Sequence, residues 1–186
     1  MKVQSVQPTP NPNAFKFLLD GKVVQSGVKN YTAAADAAGD PLAKALFGIE
    51  GVDTLFFCED FITVSMVESA DWRAVHDEVV KQLQDHEPDL GDAAATTDQA
   101  GAPAATTGDG DPELMQKIMD LLEDRVMPAL AGDGGGLEIL GLDGKTLSIR
   151  YQGACNSCPS SIAGTLTAIE NLIHTEIDDT VQVVTA

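Results

Sequence analysis

Two of the three cysteines in the chain stand in one short stretch, Gly153-Ala154-Cys155-Asn156-Ser157-Cys158-Pro159-Ser160-Ser161, with two residues between them. Thiolates at this spacing can point at a common centre, where they hold a metal or run dithiol–disulfide exchange. They lie among Gly, Ala, Asn and Ser, just before a helix whose free N–H groups and dipole favour anionic sulfur. Cysteine is also among the residues most often buried as a small apolar side chain. Cys58, which ends an apolar run, fits that description; Cys155 and Cys158 are read as a functional pair.

Three chemistries compete for the pair. Dithiol exchange needs only the two cysteines, but its usual setting is a strand inside a βαβ unit. Here a hairpin strand precedes the motif, Pro159 follows it, and no aromatic neighbour is present. Zinc wants four ligands in a tetrahedron. The only imidazoles are His76, His86 and His174; the first two belong to the far half of the chain, and the third is about four turns along the following helix. An iron–sulfur cube asks for one thiolate per iron, four in all. One chain supplies two, and two chains related by a two-fold axis supply four. A cluster held at such a seam by two short loops is exposed, which suits a carrier better than a fixed redox centre.

The elements that position the motif follow from caps, turns and periodicity. In residues 111–186, Asp111-Pro112-Glu113 is a helix entry with a cap and a proline at the first position. Leu114, Ile118, Leu121, Leu122 and Val126 recur at helical spacing, and Pro128 should kink or end that helix. Asp133-Gly134-Gly135-Gly136 reads as a tight loop; it lacks the preceding strand and Gly-Lys-Ser/Thr ending of a phosphate-binding loop. Leu137–Leu140 and Thr146–Tyr151 flank Asp143-Gly144 as a hairpin. After the cysteines comes a helix to about His174, and Val181–Thr185 is a last strand.

Residues 1–86 form a separate unit. Gln7-Pro8-Thr9-Pro10-Asn11-Pro12-Asn13 should be an exposed turn, since each proline lacks a donor and restricts its predecessor. Ala14–Leu19 and Lys22–Gln25 around Asp20-Gly21 predict one hairpin, and Val52–Cys58 and Phe61–Met66 around Glu59-Asp60 predict another. Asp40-Pro41 opens a short helix that Gly48 closes, and Asp71 caps a helix carrying Trp72, Val75, Val79 and Leu83 on one face. Residues 87–110, rich in Ala, Thr, Gly, Pro and Asp, have no large apolar residue after Leu90 and are expected to be a flexible linker. The fold class is therefore α/β, more closely α+β: two small domains, each a small mixed or antiparallel sheet packed with two helices.

The formal charge of −18 repels nucleic-acid phosphates and anionic lipid, so neither is an expected partner. An odd number of cysteines argues for free thiols in a reducing compartment. Met1-Lys2-Val3-Gln4 runs into strand-like sequence without the pattern of a signal or transit peptide, so the cytoplasm is the expected location.

These residues carry a resemblance. Residues 112–186 resemble the C-terminal domain of the NifU-like (Nfu) iron–sulfur carriers. The likeness runs through Arg125-Val126-Met127-Pro128-Ala129-Leu130, Asp133-Gly134-Gly135, the cysteine stretch, Thr165-Leu166 and Ile169-Glu170. Residues 7–66 are similar to the domain that precedes it in many Nfu proteins, through Pro8-Thr9-Pro10-Asn11-Pro12-Asn13, Pro41-Leu42-Ala43 and Asp60-Phe61-Ile62-Thr63-Val64. The resemblance implies a non-enzymatic carrier, not a primary scaffold with its own sulfur donor. Such a carrier takes a [4Fe–4S] cluster from upstream assembly proteins and hands it to apo iron–sulfur proteins. It implies Cys155 and Cys158 as the cluster ligands, shared by a homodimer; a [2Fe–2S] cluster fits the same four thiols. The alternatives are a thiol–disulfide oxidoreductase and a zinc-bridged dimeric binding module. Cys58 and Gly136 depart from the family pattern.

Overall fold

A computed structural model describes residues 1–86, 111–155 and 159–185, and for residues 159–161 and 163 the backbone only. The expected linker, 87–110, lies outside the described residues. Contacts divide the chain into two compact units, Met1–Gly101 and Ala102–Ala186. The class is α+β in both. Among the described residues no helix is long and apolar enough to cross a membrane.

In the first unit five strands form an antiparallel sheet in the order β1 (Val3–Pro8), β2 (Ala14–Leu19), β5 (Phe61–Met66), β4 (Val52–Cys58), β3 (Val28–Tyr31). Helices α1 (Pro41–Phe47) and α2 (Trp72–Asp85) bring Leu42, Leu46, Val75, Val79 and Leu83 into one core with Phe17, Leu55, Phe57, Ile62 and Val64. The start of α1 is fixed by Asp40, whose carboxylate accepts from the Leu42 and Ala43 N–H groups at 3.0 and 3.1 Å and from the Tyr31 hydroxyl at 2.8 Å. The β4–β5 hairpin forms as expected, with Glu59 at φ 34 in its turn.

Two expectations for this unit change. Lys22–Gln25 is not a strand. Both edges of β2 are already taken, by β1 and by β5, so no partner remains for a hairpin at Asp20-Gly21. Val23 instead tucks under the β4–β5 turn, its N–H donating to the Glu59 carbonyl at 2.6 Å, and both Val23 and Val24 are buried. The proline segment is also less exposed than expected. Gln7 and Pro8 belong to β1, and Asn11 is buried as the pivot of the β1–β2 turn. Its side-chain oxygen accepts from the Asn13 N–H at 3.0 Å, and its carbonyl from the Ala14 N–H at 3.1 Å.

The second unit opens with α3 (Pro112–Leu121), capped by Asp111, whose carboxylate accepts from the Glu113 N–H at 2.9 Å. A widened π turn, Leu122–Val126, leads into α4 (Met127–Gly132). Pro128 supplies the reason. A proline inside a regular helix collides with the carbonyl four residues earlier and cannot donate, and a π turn relieves both problems. The helical path therefore continues through Pro128. Strands β6 (Gly135–Asp143) and β7 (Thr146–Gly153) form an antiparallel hairpin, and β8 (Gln182–Thr185) adds to β7 in parallel. The glycine run is only half loop: Gly135 and Gly136 are paired strand residues opposite Gly153 and Gln152. Helix α5 (Pro159–Glu176) brings Ile169 and Ile173 into a core with Ile118, Leu122, Leu130, Leu137, Leu147 and Ile149.

One ion pair ties the β6–β7 turn to the end of α5. Lys145 Nζ lies 2.8 Å from Asp178, which also accepts from the Thr180 N–H at 2.9 Å; together they hold the Asp178 carboxyl well below the usual carboxylate range. A depressed folded-state value stabilises the fold above the unfolded value, near 4, and that contribution fades as pH falls through the lower native value. Asp178→Asn should therefore lower the melting temperature at pH 7, with the gap to wild type closing as the pH is taken below about 4. Thermal scans across pH check this; a gap that is the same at every pH would remove the ion pair as its cause.

Candidate metal centre

The site is built at the glycine-rich end of the β6–β7 hairpin. Gly134 at φ 77 and Gly153 at φ 64 both lie in the left-handed region, where a side chain is strained. The Ala154 N–H donates to the Gly134 carbonyl at 3.2 Å, which closes the loop after β7 back onto the entry of β6. Gly135 pairs with Gly153 in register. Cys155 then folds inward across Gly135. An ideal Cβ built on Gly135 would stand 2.6 Å from Cys155 Sγ, 2.8 Å from the Gln152 carbonyl oxygen and 3.2 Å from Cys155 Cβ.

Cys155 is thus buried, at 6% exposure, within the apolar cluster of this unit. Tyr151 of β7 is buried in the same cluster; its hydroxyl reaches the Ile162 carbonyl of α5 at 3.5 Å. Burial, and after it the neighbouring Cys155, push the Tyr151 phenol up to about 12, so it stays neutral. Gln152 points to the other face. Its amide donates to Glu138 at 3.3 Å, while its buried Oε1 has no hydrogen-bond partner among the described residues.

Cys158, the second expected ligand, lies outside the described residues, so of the predicted pair the structure places Cys155 alone. Cys58 sits at the end of β4 in the other unit, half-buried and paired across the hairpin with Phe61. Each histidine has a partner. His76 Nδ1 lies 3.0 Å from Asp77 and His86 Nδ1 lies 3.2 Å from the Gln82 carbonyl. His174 Nε2 lies 2.6 Å from the Val181 carbonyl, an acceptor only, so that nitrogen carries the proton and pins α5 to the approach of β8. Among the described residues no group of three or more His, Cys, Asp and Glu could hold a metal ion.

Gly135 is the residue that sequence reasoning missed. The glycine run predicts a loop there, whereas its contact with Cys155 depends on strand pairing with Gly153, two positions before the cysteine. Glycines at both ends of one predicted hairpin, one of them two residues from a cysteine, are the signal that could have found it.

Comparison with known proteins yields two family matches in order along the chain. Residues 3–88 match the model described as the scaffold protein Nfu/NifU N-terminal domain, and residues 118–184 match the NifU-like domain. The chain is 34% identical over 171 residues to the NFU1 iron–sulfur cluster scaffold homolog, mitochondrial, of Drosophila ananassae, covering 90% of this chain and 58% of that protein. It is 32% identical over 169 residues to the NifU-like protein 4, mitochondrial, of Arabidopsis thaliana, covering 90% and 60%. The chain therefore spans somewhat less than two thirds of these relatives' length. Among solved structures, a Staphylococcus aureus protein is 29% identical, covering 45% of this chain and 99% of that one with a TM-score of 0.41. A NifU-like protein from Saccharomyces cerevisiae is 25% identical, covering 45% and 77% with the same TM-score of 0.41.

For Cys58, burial first, then Glu59 and Asp60, push the thiol up to about 11. A raised value means the thiol remains protonated through neutral pH, and the thiolate is the reactive species. Alkylation of Cys58 by iodoacetamide should stay slow from pH 7 to 9 and climb only toward pH 11. A rate that saturates by pH 9 would contradict the burial and the two acidic neighbours as its cause.

Proposed function

This chain belongs to the Nfu/NifU-like family of iron–sulfur cluster scaffolds, and we propose that it carries a [4Fe–4S] cluster on Cys155 and Cys158 of two copies and delivers it to apo-proteins. The observation that supports this most directly is the NifU-like match over residues 118–184, which contains both cysteines of the pair. Each copy offers two thiolates to a cube that asks for four, so the reading joins two copies in a homodimer about the cluster. A [2Fe–2S] cluster fits the same four sulfurs and is the second form that this site would take.

The cluster is cargo. Upstream assembly proteins supply it, and acceptors that present three or four preorganised cysteines take it by ligand exchange, so no covalent substrate turnover and no enzyme activity are assigned. Residues 111–186 hold the cluster, 1–86 help to select recipients, and 87–110 join the two. Free thiols point to a reducing compartment, the cytoplasm in this reading, whereas the two relatives above are named as mitochondrial. The thiol–disulfide reading draws no support from the relatives, which are named as iron–sulfur cluster scaffold and NifU-like proteins. Zinc draws none from the histidines, whose described contacts are elsewhere.

The chain purified or reconstituted without oxygen should be brown, contain iron and acid-labile sulfide, and elute as a dimer. Cys155→Ala or Cys158→Ala should abolish the cluster, and Cys58→Ser should retain it. A colourless protein with stoichiometric zinc, a monomeric cluster-bearing form, or cluster loss in the Cys58 variant alone would each refute the arrangement.

A further inference from the structure

Three glycines crowd the Cys155 end of the hairpin, and they differ in kind. Gly134 and Gly153 occupy left-handed backbone that only glycine adopts easily. Gly135 does not have a positive φ; it is an ordinary strand residue paired with Gly153. What excludes a side chain there is space. A Cβ would lie 2.6 Å from Cys155 Sγ, closer than real Cβ atoms come to any neighbour. The missing methyl group of Gly135 is the volume that the thiol occupies.

We infer that Gly135 is a positioning residue for Cys155: its bare Cα forms a niche that holds the thiol inward, inside the apolar core, in the chain without cargo. Tyr151 walls the same cluster, and Cys155 at 6% exposure is sheltered from solvent. Buried thiols in apolar surroundings react slowly. The niche thereby protects a residue whose later task is to bind iron. The second half of the inference rests on the cluster-carrier reading. A sulfur shared with a second copy must reach the surface, so Cys155 vacates the niche when cargo binds.

The test uses the full chain, reduced and free of iron, treated with N-ethylmaleimide and followed residue by residue by mass spectrometry. Cys155 should react at least about tenfold more slowly in the native chain than in urea, as expected of a site reached only through local opening. Gly135→Ala, which fills the niche on permissive backbone, should raise the Cys155 rate about tenfold while leaving that of Cys58 unchanged. Equal native and urea rates for Cys155 in wild type, or no change in Gly135→Ala, would overturn the niche. The added methyl also meets the Gln152 carbonyl at 2.8 Å and could cost the variant its fold. The Gln152 contact remains in Gly135→Ala/Cys155→Ala while the sulfur contact does not, so Gly135→Ala should lower thermal stability less in the Cys155→Ala background than in wild type; an equal loss in both backgrounds would overturn the proposal.

Anaerobic reconstitution separates the two halves. Gly135→Ala should hold as much iron as wild type if ligation occurs outside the niche, and loss of iron in a variant whose second unit keeps a cooperative melting transition would overturn the outward position. A wild-type chain that shows the alkylation contrast but takes up no iron would retire the cluster reading and uphold the niche. One that loads iron while its Cys155 reacts as in urea would do the reverse.

Discussion

The pairing of β6 with β7, which runs from Ile139 opposite Ile149 to Gly135 opposite Gly153, is the constraint on which the cysteine end of the second unit depends. It brings two left-handed glycines side by side, lets the Ala154 N–H close onto Gly134, and turns Cys155 back over the strand. The far end of the same hairpin is held by Lys145 and Asp178, which bind it to the end of α5. The sheet thus fixes the chain on both sides of α5, the helix that the cysteine stretch leads into. The His174–Val181 hydrogen bond adds a second tie at the exit.

Much of this framework was legible because it is local. Asp40-Pro41, Asp71 and Asp111-Pro112 state their helix starts within two or three residues, and the structure finds each aspartate accepting from the expected backbone N–H. The Glu59-Asp60 and Asp143-Gly144 hairpins are equally local. Lys22–Gln25 failed for the opposite reason. Asp20-Gly21 is a bend, but whether a strand pairs back after it depends on which edges of β2 are vacant, and β1 and β5 take both. The glycine run failed in a related way: glycine-rich sequence reads as loop, while register with β7 makes half of it strand.

The candidate site was legible in its chemistry and less so in its geometry. Spacing and polar neighbours singled out Cys155 and Cys158 over Cys58, and the NifU-like match covers that pair. Burial, however, ranks the placed cysteines the other way, with Cys155 more enclosed than Cys58. Polarity of adjacent residues predicts whether a segment is loop; it does not report which way one side chain in that loop turns. That direction is set by a gap on a neighbouring strand, and a gap is a non-local property of the register.

An inward thiol also bears on how firmly a carrier should hold its load. When a binding-competent state is only a fraction of the population, apparent affinity falls by that fraction. A tenfold preference of Cys155 for its niche would weaken that ligand's hold about tenfold, or about 1.4 kcal/mol. In a two-copy site the same preference acts twice, for about a hundredfold, provided the two thiols respond independently. A site with four outward, preorganised thiolates would bind the same cluster more tightly and release it less readily, which suits an enzyme that keeps its cofactor. Retention in the niche works against holding and in favour of transfer, because an acceptor with fixed cysteines pays no such conformational cost. On this argument the glycine at 135 does more than avoid a collision. If Cys155 holds the cluster as proposed, it would set the balance between a sheltered thiol and a bound cluster.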